Sequence, residues 1–150
     1  MNVHTPDGEP ANAEWVIARL EEAGTTLLAL PNTGPSTRLV QGGLEWVRDA
    51  AVSYGATRAR LRPAVPSAAY ISRMDDTYLW LARIPQDKYV LRRIVGARSL
   101  VHPMTGRYLF SWRRLGTAIG ADHKAVQRWH AQGIDMLVGA LNQRAKAAAA

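Results

Sequence analysis

Apolar residues recur along this chain at helical spacing, and the expected elements follow from where that spacing starts and stops. Val16, Leu20, Ala23, Leu27 and Leu30 step by four and three, which puts them on one stripe of a helix. Asn12 is placed to cap that helix and Pro31 to end it, although Gly24 and the two threonines after it weaken the pattern. A second helix is expected over about 43–54, with Leu44, Trp46, Val47 and Ala51 on it and Gly55 as its stop. A third runs from a Ser67 cap to about Ile84, with Ile71, Met74, Tyr78 and Leu81 on one face and Pro85 closing it. A fourth is expected from an Asp87 cap to about Leu100, with Val90, Leu91, Ile94 and Val95 inward.

The intervening segments are turn chemistry. Residues 31–43 (PNTGPSTRLVQGG) are rich in Pro, Gly, Asn and Ser, and Thr57–Pro66 reads as a basic, extended connection. His102-Pro103 and Gly106 mark a further turn, after which Tyr108-Leu109-Phe110 can form a short extended piece. No stretch sustains a two-residue alternation with β-branched enrichment, and there are no repeats. The expected class is all-α, a helical N-terminal region packed with a C-terminal helix-turn-helix.

That motif lies between Phe110 and Trp129 (FSWRRLGTAIGADHKAVQRW). Ser111 is positioned to cap a short helix, with Phe110 stapling onto Leu115. Gly120 supplies the left-handed turn, and Asp122 caps the next helix with Ala121 stapling onto Val126. Leu115, Ile119, Gly120, Val126 and Trp129 form the motif core that locks two short helices at a steep angle, and small Gly116 allows their close approach. The same packing turns His123, Lys124, Gln127 and Arg128 outward, residue types that reach base edges or phosphates from a major groove. Arg113 and Arg114 on the first helix are the candidates for flanking phosphate contacts.

Charge strengthens this reading. The chain carries a net +7, but residues 1–76 hold seven Lys/Arg against nine Asp/Glu, whereas residues 77–150 hold twelve against three. The whole positive excess therefore lies in the half that contains the motif, as a polyanionic partner requires. With 47% hydrophobic and 21% charged residues, the 150-residue chain can close a core, which argues against wholesale disorder. It has no cysteine, which excludes disulfides, thiolate metal sites and thiol nucleophiles, and fits a reducing cytoplasm. No signal-like start or long apolar run points to export or membrane insertion, so a cytoplasmic location is expected.

Residues 111–142 (SWRRLGTAIGADHKAVQRWHAQGIDMLVGALN) resemble the C-terminal helix-turn-helix of small phage and prophage DNA-binding proteins. Late-transcription regulators are the nearest type, and their motif is similar to the promoter-reading domain of sigma factors. The resemblance covers about residues 108–142 and implies DNA contacts at His123, Lys124, Gln127 and Arg128. Gly133 departs from an ideal continuous helix and is expected to kink it. Farther upstream, Met74–Leu81 (MDDTYLWL) is loosely similar to phage-associated proteins of unknown function.

The expected organisation is a flexible arm at 1–11, a helical core or oligomerisation region at 12–104, the helix-turn-helix module at 105–143 and an Ala-rich tail at 144–150. The expected function is double-stranded DNA binding as a phage-type transcription regulator, with a homo-oligomer supplying avidity and RNA polymerase as a further partner. Two other functions fit the composition: a small terminase subunit recognising DNA for packaging, and a helical interaction protein that binds no DNA. In the terminase the DNA module usually precedes the oligomerisation helix, the reverse of the order here.

Catalysis is not expected. Ser, His and Asp form no local triad motif, and the Gly-rich loop at 33–43 lacks the ending of a phosphate loop. Asp75 and Asp76 are adjacent and so diverge by about 100° on a helix, which suits solvation or pairing with Arg73 or Arg83 better than metal. His123 and His130 lie two turns apart, about 10 Å along the axis, too far to share an ion unaided, so neither metal nor cofactor is expected. Trp15, Trp46, Trp80, Trp112 and Trp129 are expected in the core or at a subunit interface, with Trp112 the one to check for exposure.

Overall fold

The computed structural model describes residues 5, 8–31 and 63–150, so the expected helix over 43–54, Trp46 and most of the 57–66 connection lie outside the described residues. Those residues form five α-helices and no strand, and the all-α expectation holds. Helix α1 spans Ala13–Ala29, and the Asn12 carboxamide oxygen accepts from the Trp15 amide at 2.9 Å. Val16, Leu20, Ala23 and Leu27 are buried as the stripe predicts. Helix α2 (Ala68–Leu79) starts from the Ser67 cap and tightens into a 3-10 turn at Trp80–Arg83 before Ile84 turns extended ahead of Pro85.

Asp87 is not the cap of the next helix. Pro85 leads into a 3-10 turn at Gln86–Lys88, closed by the Lys88 amide on the Pro85 carbonyl at 3.0 Å. Helix α3 (Tyr89–Ser99) begins only after it, with Lys88 at the cap position and no side-chain cap. Asp87 therefore sits inside the turn, one residue too early to cap. Arg92 holds this corner instead, donating to the carbonyls of Ile84 at 2.7 Å and Ala82 at 3.2 Å.

After α3 the chain reverses through His102–Arg107, closed by a single antiparallel bridge between Val101 and Tyr108 and by the Leu109 amide on the Leu100 carbonyl at 2.9 Å. The short extended piece expected at 108–110 is the return of this hairpin. Helices α4 (Trp112–Ile119) and α5 (His123–Ala149) follow. At 27 residues, α5 is about 40 Å long and unbroken.

The helix runs on without a break through Gly133, where a kink is expected from sequence, and the glycine there serves packing. A β-carbon there would lie 2.7 Å from a Val95 methyl and 3.7 Å from side-chain atoms of Ile84 and Leu91, so the glycine lets α5 seat against α3 and the preceding turn. The tail from residue 144 continues the helix to Ala149.

Two hydrophobic clusters make up the core. The larger joins α1, α2, the turn after it and α3 to Ile134, Leu137 and Leu141 of α5. The smaller joins Ile94 and Ala97 of α3 to Leu115 of α4 and Val126 of α5, with Phe110 and Trp129 packed against both. The core thus crosses the division expected at residue 104: α3 completes the helix-turn-helix, and the C-terminal half of α5 belongs with the N-terminal helices. The arm is tied down at its end, where buried Ala11 exchanges two hydrogen bonds with the Asn142 carboxamide at 2.9 and 3.0 Å.

Candidate nucleic-acid interface

Local chemistry sets the angle between α4 and α5. The Ser111 hydroxyl accepts from the Arg114 amide at 3.1 Å, and Phe110, one residue earlier, packs in the same cluster as Leu115. Gly120 closes α4 at φ 77° and ψ 34°, in the left-handed region. The Ala121 amide then returns to the Gly116 carbonyl at 2.8 Å. A β-carbon on Gly116 would lie 2.5 Å from the Ala121 carbonyl oxygen, so even alanine would open this turn. The Asp122 carboxylate caps α5 by accepting from the Lys124 amide at 3.2 Å. Leu115 and Val126 are fully buried, while Ile119, Ala121 and Trp129 close the sides of the cluster.

Gly120→Val should cost about 2 kcal/mol or more, because a β-branched residue at positive φ is strained. The expected thermal midpoint falls by roughly 4–8 °C, and by less for Gly120→Asn, which tolerates that region. A Gly120→Val melt identical to the wild type would contradict the turn.

This geometry leaves Lys124, Gln127 and Arg128 exposed on the outer side of α5. His123 is half-buried at the start of the same helix, with Nδ1 3.3 Å from the Asp122 carboxylate. Arg113 and Arg114 are exposed on α4, and the Arg114 guanidinium lies 5.1 Å from the centre of the Phe110 ring. An open groove of about 520 Å3 separates the two helices, lined by Arg113, Thr117, Gly120, Asp122 and His123 among others. All six sequence-predicted contact residues therefore fall on the two helices of the turn.

His130, two turns after His123, is not part of this exposed row. Its ring meets the Trp112 ring edge-on, with centroids 5.0 Å apart, and burial followed by the nearby Arg98 charge pushes its pKa down to about 4. The sequence held a signal for this. His130 falls four residues after Val126 and four before Ile134, on the buried stripe of α5 as well as two turns from His123. Trp112 is half-buried, its face covered by the Arg98 guanidinium at 4.0 Å, and Arg98 also stacks on Tyr108 at 3.5 Å. The Tyr108 hydroxyl donates to Glu21 of α1, and that bond together with burial raises the tyrosine pKa. Nothing local in the sequence announces this cluster, whose members are up to 109 residues apart.

Of the other tryptophans, Trp80 is buried and Trp15 packs against it at 5.5 Å between ring centres. Arg73 pairs with Glu22 of α1, a partner that the sequence did not suggest. Among the described residues no helix is long and apolar enough to cross a membrane, and no three His, Cys, Asp or Glu side chains are grouped to hold a metal.

A family model described as a domain of unknown function, DUF6362, matches residues 29–137, well over half of the chain. The chain belongs to this family. In this DUF6362 protein the matched span runs from the end of α1 into α5, so α2, α3 and the helix-turn-helix fall within one family unit. No curated protein and no solved structure matches the chain.

Proposed function

We propose that this DUF6362 protein binds double-stranded DNA through α4 and α5 and acts as a transcription regulator of the kind its motif resembles. The observation that carries this reading is the exposure of Lys124, Gln127 and Arg128, in one row, on a helix whose opposite side is locked by Leu115, Val126 and the Gly120 turn. No segment of the described chain covers that row. Lys124 and the α4 arginines supply phosphate contacts, while Gln127 and Arg128 face base edges, where glutamine suits adenine and arginine suits guanine. A single recognition helix reaches few bases, so two copies on adjacent half-sites provide useful affinity at physiological salt.

Titration of the full chain against random and selected duplexes at two salt concentrations tests this. Affinity should fall steeply with salt, because neutralised phosphates release counterions. Lys124→Ala should weaken all sequences alike and lower the salt slope by about one. Arg128→Ala should cost about 1–3 kcal/mol on the selected site and relax its specificity. Both side chains are solvated, so melting should be unchanged. Wild-type DNA affinity in both variants would overturn the proposal.

A further inference from the structure

A second feature lies away from the outer row of α5, where the two hydrophobic clusters meet. It is a cavity of about 220 Å3, walled by Leu20 and Glu21 of α1, Arg98 of α3, Tyr108 of the hairpin, Trp112 of α4 and His130 of α5. That volume exceeds the roughly 150 Å3 that accommodates benzene in an apolar protein cavity. It falls short of the roughly 300 Å3 at which pockets for drug-sized ligands begin. One ring with one small head group fits.

The polar walls indicate the head group. Among the described residues neither nitrogen of the His130 ring has a hydrogen-bond partner, and its ring contact is the edge-on one with Trp112. A neutral imidazole offers one donor and one acceptor, which a ligand in the cavity can meet. The Arg98 guanidinium donates to the Phe110 carbonyl at 2.9 Å and also interacts with the Tyr108 hydroxyl and the Glu21 carboxylate, and its fork carries further N–H donors. Glu21 already accepts from the Tyr108 hydroxyl. The His130 pKa is lowered by burial and then by the Arg98 charge, while Glu21 acts on Arg98 from the same cavity wall.

The geometry points to this cavity as a binding site for a small aromatic carboxylate, its head group held by Arg98 and His130 and its ring lying against Trp112 and Leu20. The carboxylate accepts from both side chains at once. Charge-assisted bonds of this kind are the stronger class, and the apolar wall of Ile17, Leu20 and Val95 suits a ring beside them. This site is independent of the DNA reading and is tested without DNA.

The experiment titrates the full-length chain with sodium benzoate while following the NMR signals of the His130 ring and the Trp112 indole. Both signals should shift saturably at millimolar or lower benzoate, and the His130 titration midpoint should rise while ligand is bound. Glu21→Gln keeps an acceptor for Tyr108 but removes a neighbouring negative charge, so it should tighten benzoate by about fivefold. Acetate lacks the ring and benzyl alcohol lacks the charge; each should bind about tenfold more weakly or worse. Unsaturable shifts spread over the exposed arginines, benzyl alcohol equal to benzoate, or an unmoved His130 midpoint would each overturn the site.

Discussion

Gly24→Ala is expected to destabilise the protein by about 3 kcal/mol, although alanine is the better helix former by about 1 kcal/mol. Gly24 lies inside α1 where it crosses the end of α3, and an added β-carbon would sit 1.9 Å from the Ser99 carbonyl oxygen and 3.0 Å from the Leu100 α-carbon. Both obstacles are backbone, so no rotamer change relieves them. The helices must separate, which opens the stripe of Leu20, Ala23 and Leu27 and disturbs the buried hydrogen bond between Ser99 and Tyr78, at 2.9 Å. Urea denaturation should show a lower midpoint with an unchanged slope. Gly139→Ala is the matched control: it is exposed on α5 with nothing within 4 Å of its β-position, and should stabilise by about 0.5–1 kcal/mol. A Gly24→Ala protein as stable as the wild type would mean that α1 and α3 do not touch backbone to backbone.

Gly24 also illustrates which features the sequence reveals. Features fixed within a few residues are legible: the caps at Asn12, Ser67, Ser111 and Asp122 all accept the amide hydrogen bonds expected of them, and Gly120 takes the left-handed turn. Features decided by distant neighbours are not. Gly24 and Gly133 read as weak points of helices because propensity is local, yet both are contact surfaces for α3. Asp87 fails as a cap because the Pro85 turn intervenes, a competition between two local signals that spacing alone does not rank.

Which part of α5 packs with which helices is illegible in the sequence for a related reason. Periodicity identifies the stripe of a helix but not its partner, and α5 has two partners along one stripe. Val126 meets α3 and α4, whereas Ile134, Leu137 and Leu141 join the larger cluster with α1 and α2. Lys124, Gln127 and Arg128 therefore ride on the first turns of a helix anchored by its remaining length. Such anchoring on a regular element holds a binding face more firmly than a loop can. The cavity between the clusters lies at that joint, with one wall on each body.

The second large effect is acid sensitivity traced to His130. Its pKa in the folded protein is about 4, against an ordinary value of about 6.5, because burial comes first and the Arg98 charge second. Between these values the unfolded chain binds a proton that the folded chain refuses, so stability falls as pH drops from about 6.5 to about 4 and levels off below. The full difference is on the order of 3 kcal/mol, which is a large share of a small protein's stability. Arg98 from α3 and Glu21 from α1 are the charged groups that share the cavity with the ring. Glu21 is hydrogen-bonded to Tyr108, whereas Arg98 stands close enough to oppose a second positive charge. His130→Gln has a similar reach and does not titrate, so subtracting its stability–pH curve from that of the wild type isolates the imidazole. The difference should be flat above about pH 7 and change by about 3 kcal/mol down to pH 4. A flat difference throughout, or an NMR midpoint near 6.5 for the His130 ring in the folded protein, would mean that the imidazole is solvated and that the packing of α4 against α5 at Trp112 is looser than described.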